Sequence, residues 1–221
     1  MLALLLVLSM GAQPFTHEVA TPADDIARRV AFAQSDDVTR RYNELLSKTK
    51  ADRLHRYSEM SAALKSAMWT HQFLTALAEH PEFSAEQRAL LEDAIRLFTP
   101  EMFDIPSSSP EWHSRVGLPA RRFGLRAKAI LGDHLAWQLF AQLGPANPTA
   151  DTQAAGTMLR AAPKTDIPQC SCNTWDDFCP GEFGPDWYCL GGNCYFRRVG
   201  CGTLLLDSCV GLCDLKKFQD G

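Results

Sequence analysis

The distribution of cysteine constrains this chain more than any other feature. All eight cysteines (Cys170, Cys172, Cys179, Cys189, Cys194, Cys201, Cys209 and Cys213) lie in one C-terminal stretch, and none precedes Cys170. An even number concentrated in this way reads as a disulfide scaffold, because a segment this short buries too little apolar surface to offset its chain entropy without staples. In the chain-entropy model each bridge that closes a loop of about 15 residues contributes about 3 kcal/mol. Eight cysteines allow 105 pairings, and the sequence does not choose among them. Cys170 and Cys172 are not expected to pair with each other, since one intervening residue makes a strained loop. Zinc ribbons and thioredoxin-like redox sites rest on Cys-x-x-Cys pairs, which are absent, so neither metal nor cofactor is expected.

Disulfides persist in oxidising compartments. The N-terminus agrees with that setting. Residues 1–12 (Met1 to Ala12) are almost wholly apolar, have the length of a signal-peptide core and are too short to span a bilayer. Ser9-Met10-Gly11 offers small residues for cleavage, although no Lys or Arg precedes Arg28. The expectation is a secreted, extracellular protein with a signal peptide at 1–12.

The rest of the chain is of another kind. Of 221 residues, 46% are hydrophobic and 22% charged, which excludes a disordered polymer, and the net charge of −4 gives no basic footprint for nucleic acid. That charge is uneven. Residues 166–221 carry four basic and eight acidic side chains, while the first 165 residues are balanced.

Between 13 and 143 the chain carries repeated helix punctuation. Thr21-Pro22-Ala23-Asp24-Asp25 sets a capping Thr, a Pro in the first turn and acids at the positive end of the dipole. Ser35-Asp36-Asp37 repeats the cap, and Ser84-Ala85-Glu86-Gln87 fits a capping box before Leu90, Leu91, Ala94 and Ile95. Thr99-Pro100-Glu101 and Ser109-Pro110-Glu111 are two more starts. The longest helix is expected over about 52–79 and a last one over about 119–143. The reading is an all-α domain of five or six helices at 13–143, a flexible Pro- and Ala-rich linker at 144–167, and a small disulfide-rich module with little regular structure at 168–221.

No catalytic pattern emerges from the helices. His17, His55, His71, His80, His113 and His134 form no His-Glu-x-x-His pair, and Gly-x-Ser-x-Gly, Walker and dinucleotide loops are absent. An enzyme is not expected, although His71 and His134 are the candidates to watch. The basic run Arg121-Arg122-Phe123-Gly124-Leu125-Arg126-Ala127-Lys128 reads as a solvated helix face, with an anionic partner as the alternative.

Within the module, Cys170-Ser171-Cys172, then Asp177-Phe178-Cys179-Pro180, then Gly200-Cys201-Gly202-Thr203 follow one another and end in two close cysteines. In that order these motifs resemble the fulvocin C-related bacteriocins. The resemblance implies a secreted antimicrobial-peptide precursor whose module is the effector and whose helical region is a pro-domain or carrier. It also implies release by a processing protease just before Cys170, near Ile167-Pro168-Gln169. Trp175, Trp187, Tyr188 and Phe196 are then candidate contacts to a bacterial cell-surface or membrane target, or else the module's own small core. The alternative is an uncleaved exported binding or structural protein in which the module is a stapled recognition element.

Overall fold

The structure, a computed structural model, describes residues 21–144 and 168–215. The expected signal peptide, Ile167 and all of the expected linker except Gly144 fall outside those residues. The helical part comprises α1 (Pro22–Ala33), α2 (Asp36–Leu46), α3 (Lys50–Ser58), α4 (Ala62–Glu79), α5 (Ala85–Leu97), α6 (Pro100–Asp104), a π-helical turn at His113–Gly117, α7 (Leu118–Leu131) and α8 (Asp133–Phe140). Beyond residue 168 come a short α9 (Cys179–Phe183), β1 (Trp187–Gly191), β2 (Arg197–Cys201), a 3-10 turn (Thr203–Leu205), β3 (Asp207–Cys209) and β4 (Gly211–Leu215).

The caps explain where the helices begin. Thr21 and Ser84 form capping boxes with Asp24 and Gln87, and the Ser35 hydroxyl accepts from the Val38 amide. The helices are more numerous than the five or six expected, because two apolar stretches that read as continuous are divided. Ser61 accepts from the Leu64 amide and so starts α4 afresh, which splits the expected 52–79 helix into α3 and α4. Gly132, at φ 78° and ψ 161°, splits the expected 119–143 helix into α7 and α8. That backbone region is open essentially to glycine alone.

α4 is the spine of the helical part. Met68, Trp69 and Phe73 on it are fully buried. Phe73 packs on Phe140 with ring centroids 5.1 Å apart, and Phe123 stands edge-on to both Phe140 and Phe98 at the same separation. One polar group is folded into this core. The Gln72 amide nitrogen donates to the carbonyls of Leu139 and Gln142, and its oxygen accepts from the Tyr42 hydroxyl and the Gly144 amide. A buried amide satisfied on every side pins α2, α4 and the end of α8 in one register. No described helix is long and apolar enough to cross a membrane.

In the module, β1 and β4 form one antiparallel ribbon, with Cys189 opposite Cys213, and β2 and β3 form a second. In sequence, the β2–β3 hairpin therefore falls between the two strands of the outer ribbon.

A Cβ at Gly132 meets nothing within 4 Å, so substitution there acts on the backbone alone. Gly132→Ala is expected to lower stability by about 1–3 kcal/mol, read by urea unfolding of the full chain. An unchanged midpoint would show that α7 and α8 merge without cost.

Candidate functional site

All eight cysteines are paired: Cys170–Cys194, Cys172–Cys189, Cys179–Cys213 and Cys201–Cys209. Four disulfides are typical of secreted or extracellular proteins. The first two bridges carry Cys170 and Cys172 to different parts of the β1 region, the third ties α9 to β4, and the fourth closes the β2–β3 loop. The Asn173 side chain adds a polar clasp: its oxygen accepts from the amides of Trp175 and Asp176, and its nitrogen donates to the Ser208 carbonyl. Asp177 accepts from the Cys179 amide at the start of α9 and from the Cys189 amide on β1.

Among its described residues the module shows no separate aliphatic core of its own. Its two internal clusters consist of half-cystines with Trp187 at the margin. Its buried apolar side chains, Phe178, Leu204, Leu205 and Leu206, belong instead to the core of the helices. Leu204 and Leu205 both adopt left-handed backbone, with φ of 56° and 58°. For branched side chains that conformation costs of order 1–3 kcal/mol each, and it persists only where the surroundings over-determine it. Here the surroundings are α7, α8 and the Tyr57 hydroxyl, which donates to the Leu204 carbonyl and accepts from Trp69 Nε1.

The seat is shaped to its occupant. A Cβ added at Gly124 of α7 would stand 2.2 Å from Thr203 Oγ1, and one added at Gly181 of α9 would stand 2.3 Å from the Asp133 carbonyl. Glycine at the first place leaves room for the Thr203 side chain, and at the second it lets the backbone of α9 approach that of α8. His134 Nδ1 donates to the Gly181 carbonyl at 2.9 Å. Lys128 of α7 donates to the Asp177 carbonyl, lies 3.5 Å from Asp176 Oδ1 and sits over the Phe178 ring. Lys50 pairs with Glu182, and Arg121 lies over the Trp175 ring at 5.1 Å from its centroid. Two members of the basic run are thus spent on the module, and Arg126 pairs with Asp93 of α5. The run is neither a purely solvated face nor a free anion surface. Its spacing of seven, from Arg121 to Lys128, puts both cations on the side of α7 that receives the acidic module.

Beneath this contact two carboxylates face each other across Gly202: a Cβ there would meet Asp207 Oδ2 at 2.8 Å and Asp176 Oδ2 at 2.9 Å. Both residues are buried. Asp176 accepts from the Thr203 amide. Burial, with a further push from the charge of Asp176 and some relief from Arg121, raises the Asp207 carboxyl to about 7.

No protein-family model, curated protein or solved structure matches this chain.

Of the candidate target contacts, Trp175 and Phe196 are exposed, at 70% and 61%, while Trp187 and Tyr188 are half-buried. Tyr195 is as exposed as Phe196, and Phe183 is also exposed and rests against Trp187. Neither was expected as a surface aromatic, and no local pattern separates them from Phe178, which is buried. At the expected processing site, Pro168 and Gln169 are exposed, but their backbone is engaged: Tyr195 donates to the Pro168 carbonyl and accepts from the Cys170 amide, both at 2.8 Å. His71 donates to the Ala33 carbonyl, and His134 serves the contact with α9, so both watched histidines have structural partners.

Two outcomes follow from this geometry. Leu204→Ala is expected to cost about 2–5 kcal/mol, read by thermal or urea unfolding of the oxidised chain, and a cost near zero would mean that the leucine loop does not hold the module. The unfolded chain releases the Asp207 proton near 3.8, whereas the folded chain holds it to about 7. Stability from this group therefore falls as pH rises through that interval and is level on either side. Asp207→Asn is expected to flatten the difference in unfolding midpoint between pH 5 and pH 8. Equal pH profiles for the two proteins would place the Asp207 carboxyl at its ordinary value.

Proposed function

We propose that this chain is an exported bacteriocin-like precursor in which the cysteine module is the effector and the helical domain is its pro-domain or carrier. The observation that carries the reading is the shared core. Phe178 and Leu204–Leu206, the buried apolar side chains of the module, are covered by α7, α8 and Tyr57. A module released from that cover presents an apolar loop, disulfide-closed by Cys201–Cys209, in addition to the exposed Trp175 and Phe196. An acidic module gains little from anionic lipid, so a bacterial cell-surface receptor or wall component suits it better than electrostatic capture by a membrane. Held on the helices, the loop is masked. The domain then keeps the effector inert until a protease acts.

One observation favours the second reading, an exported binding protein that stays whole. The backbone around Gln169 is hydrogen-bonded to Tyr195 on both sides, and proteases need an extended, unpaired segment. In that reading the exposed aromatics form a recognition surface displayed on the helical base.

Intact-mass analysis of the secreted material, with and without reductant, separates the two. The precursor reading expects a C-terminal fragment that begins near Gln169, gains eight hydrogens on reduction and inhibits bacterial growth. The second expects a full-length mature chain with the same gain and no inhibitory fragment. Eight alkylatable thiols in a chain retained inside the cell would overturn both.

A further inference from the structure

We infer that the helical domain is the folding template that selects the disulfide pairing of the module, an intramolecular chaperone acting through the leucine loop. Four observations combine. The cysteine sulfurs are crowded: Cys172, Cys179 and Cys189 have sulfur atoms within 4.8 Å of one another although only two of them are bonded together. Sulfurs that close exchange partners with little motion, so proximity inside the module does not discriminate between native and wrong bridges. Among its described residues the module has no aliphatic core to discriminate for it, because its own clusters are made of half-cystines with Trp187 beside them. The groups that do distinguish one arrangement, Phe178 and Leu204–Leu206, are packed into the core of the helices. Finally, the left-handed backbone at Leu204 and Leu205 is unfavourable in isolation and is held by that seat.

The helical domain, free of cysteine, supplies binding and no thiol. The covalent chemistry belongs to the module and to an external small-molecule disulfide. Each bridge forms when two module thiols lose two protons and two electrons, and one molecule of oxidant disulfide is reduced to two thiols. A wrong bridge is corrected when a module thiolate attacks one of its sulfurs. A new S–S bond forms, the old one breaks and the displaced sulfur leaves as thiolate, with no net oxidation. The seat biases this exchange by mass action, since only chains with Cys201 joined to Cys209, and α9 tied to β4 by Cys179–Cys213, present the loop and Gly181 to α7 and α8 together. This role precedes any cleavage and holds whether or not the chain is later processed, so it stands or falls separately from the precursor reading.

The test uses the full chain with all eight cysteines in place. Wild type, Gly124→Ala and Gly124→Leu are reduced and denatured, returned to native buffer containing glutathione and glutathione disulfide, quenched with alkylating agent and mapped by peptide mass. Both substitutions raise the intrinsic helix propensity of α7, so loss of the helix does not explain an effect. Both intrude on Thr203 at the seat, leucine further than alanine. The wild type is expected to recover the four native bridges as its main product. Native pairing relative to scrambled species is expected to fall stepwise, by roughly tenfold for Gly124→Leu, the ratio one overpacked buried contact produces. The helical signal at 222 nm is expected to match in all three, and if the leucine variant loses it, the alanine variant decides. Equal native pairing in wild type and Gly124→Ala, or a scrambled wild type, would overturn the inference.

Discussion

The structure depends on one insertion: a loop of three leucines from the cysteine module enters the core of the helices. The loop is closed at its base by Cys201–Cys209, flanked by Gly202, and carries two residues in left-handed backbone. Burial of Leu204, Leu205 and Leu206 offsets that strain, since each fully buried leucine gains about 1.5–3 kcal/mol over an exposed one. Without the insertion the described residues of the module have only half-cystine clusters to close on. The helices in turn lose the cover that the loop gives to α7 and α8.

Electrostatics around that insertion act on orientation more than on strength. Lys128 meets Asp176, the Asp177 carbonyl and the Phe178 face together, and Lys50 meets Glu182 at the other side of α9. A single cation with three different partners defines an angle of approach as well as a site. Asp176 and Asp207, placed across one glycine within the module, repel each other when both are charged. Arg121 and Lys128 moderate that repulsion from the helical side.

Much of the helical part was readable from short-range signals. Thr21, Ser35 and Ser84 announce their helices because a side-chain cap is a local interaction written within four residues. The breaks at Ser61 and Gly132 were harder, since each falls inside an apolar pattern that continues on both sides. The module's disulfide character was plain from its cysteine density, but its pairing was not, because bridges join residues as far as 34 positions apart. Least readable was the union of the two parts. Arg121 to Lys128 reads as an ordinary helix face, and nothing local marks Leu204-Leu205-Leu206 as a piece of another core, since the meaning of both lies in their contact across the chain. The same holds for the aromatics: nothing in the sequence around Phe178 and Phe196 distinguishes the buried ring from the exposed one.

The outer ribbon has a temporal meaning as well as a spatial one. β1 pairs with β4, the last described strand, while the β2–β3 hairpin sits between them in sequence. In a chain delivered from its N-terminus, the strand that completes the ribbon arrives after everything it must enclose. The helices, being first out, have time to form from local contacts before Cys213 appears. The wiring of the module thus orders events along the chain, with the seat made before the piece that fills it.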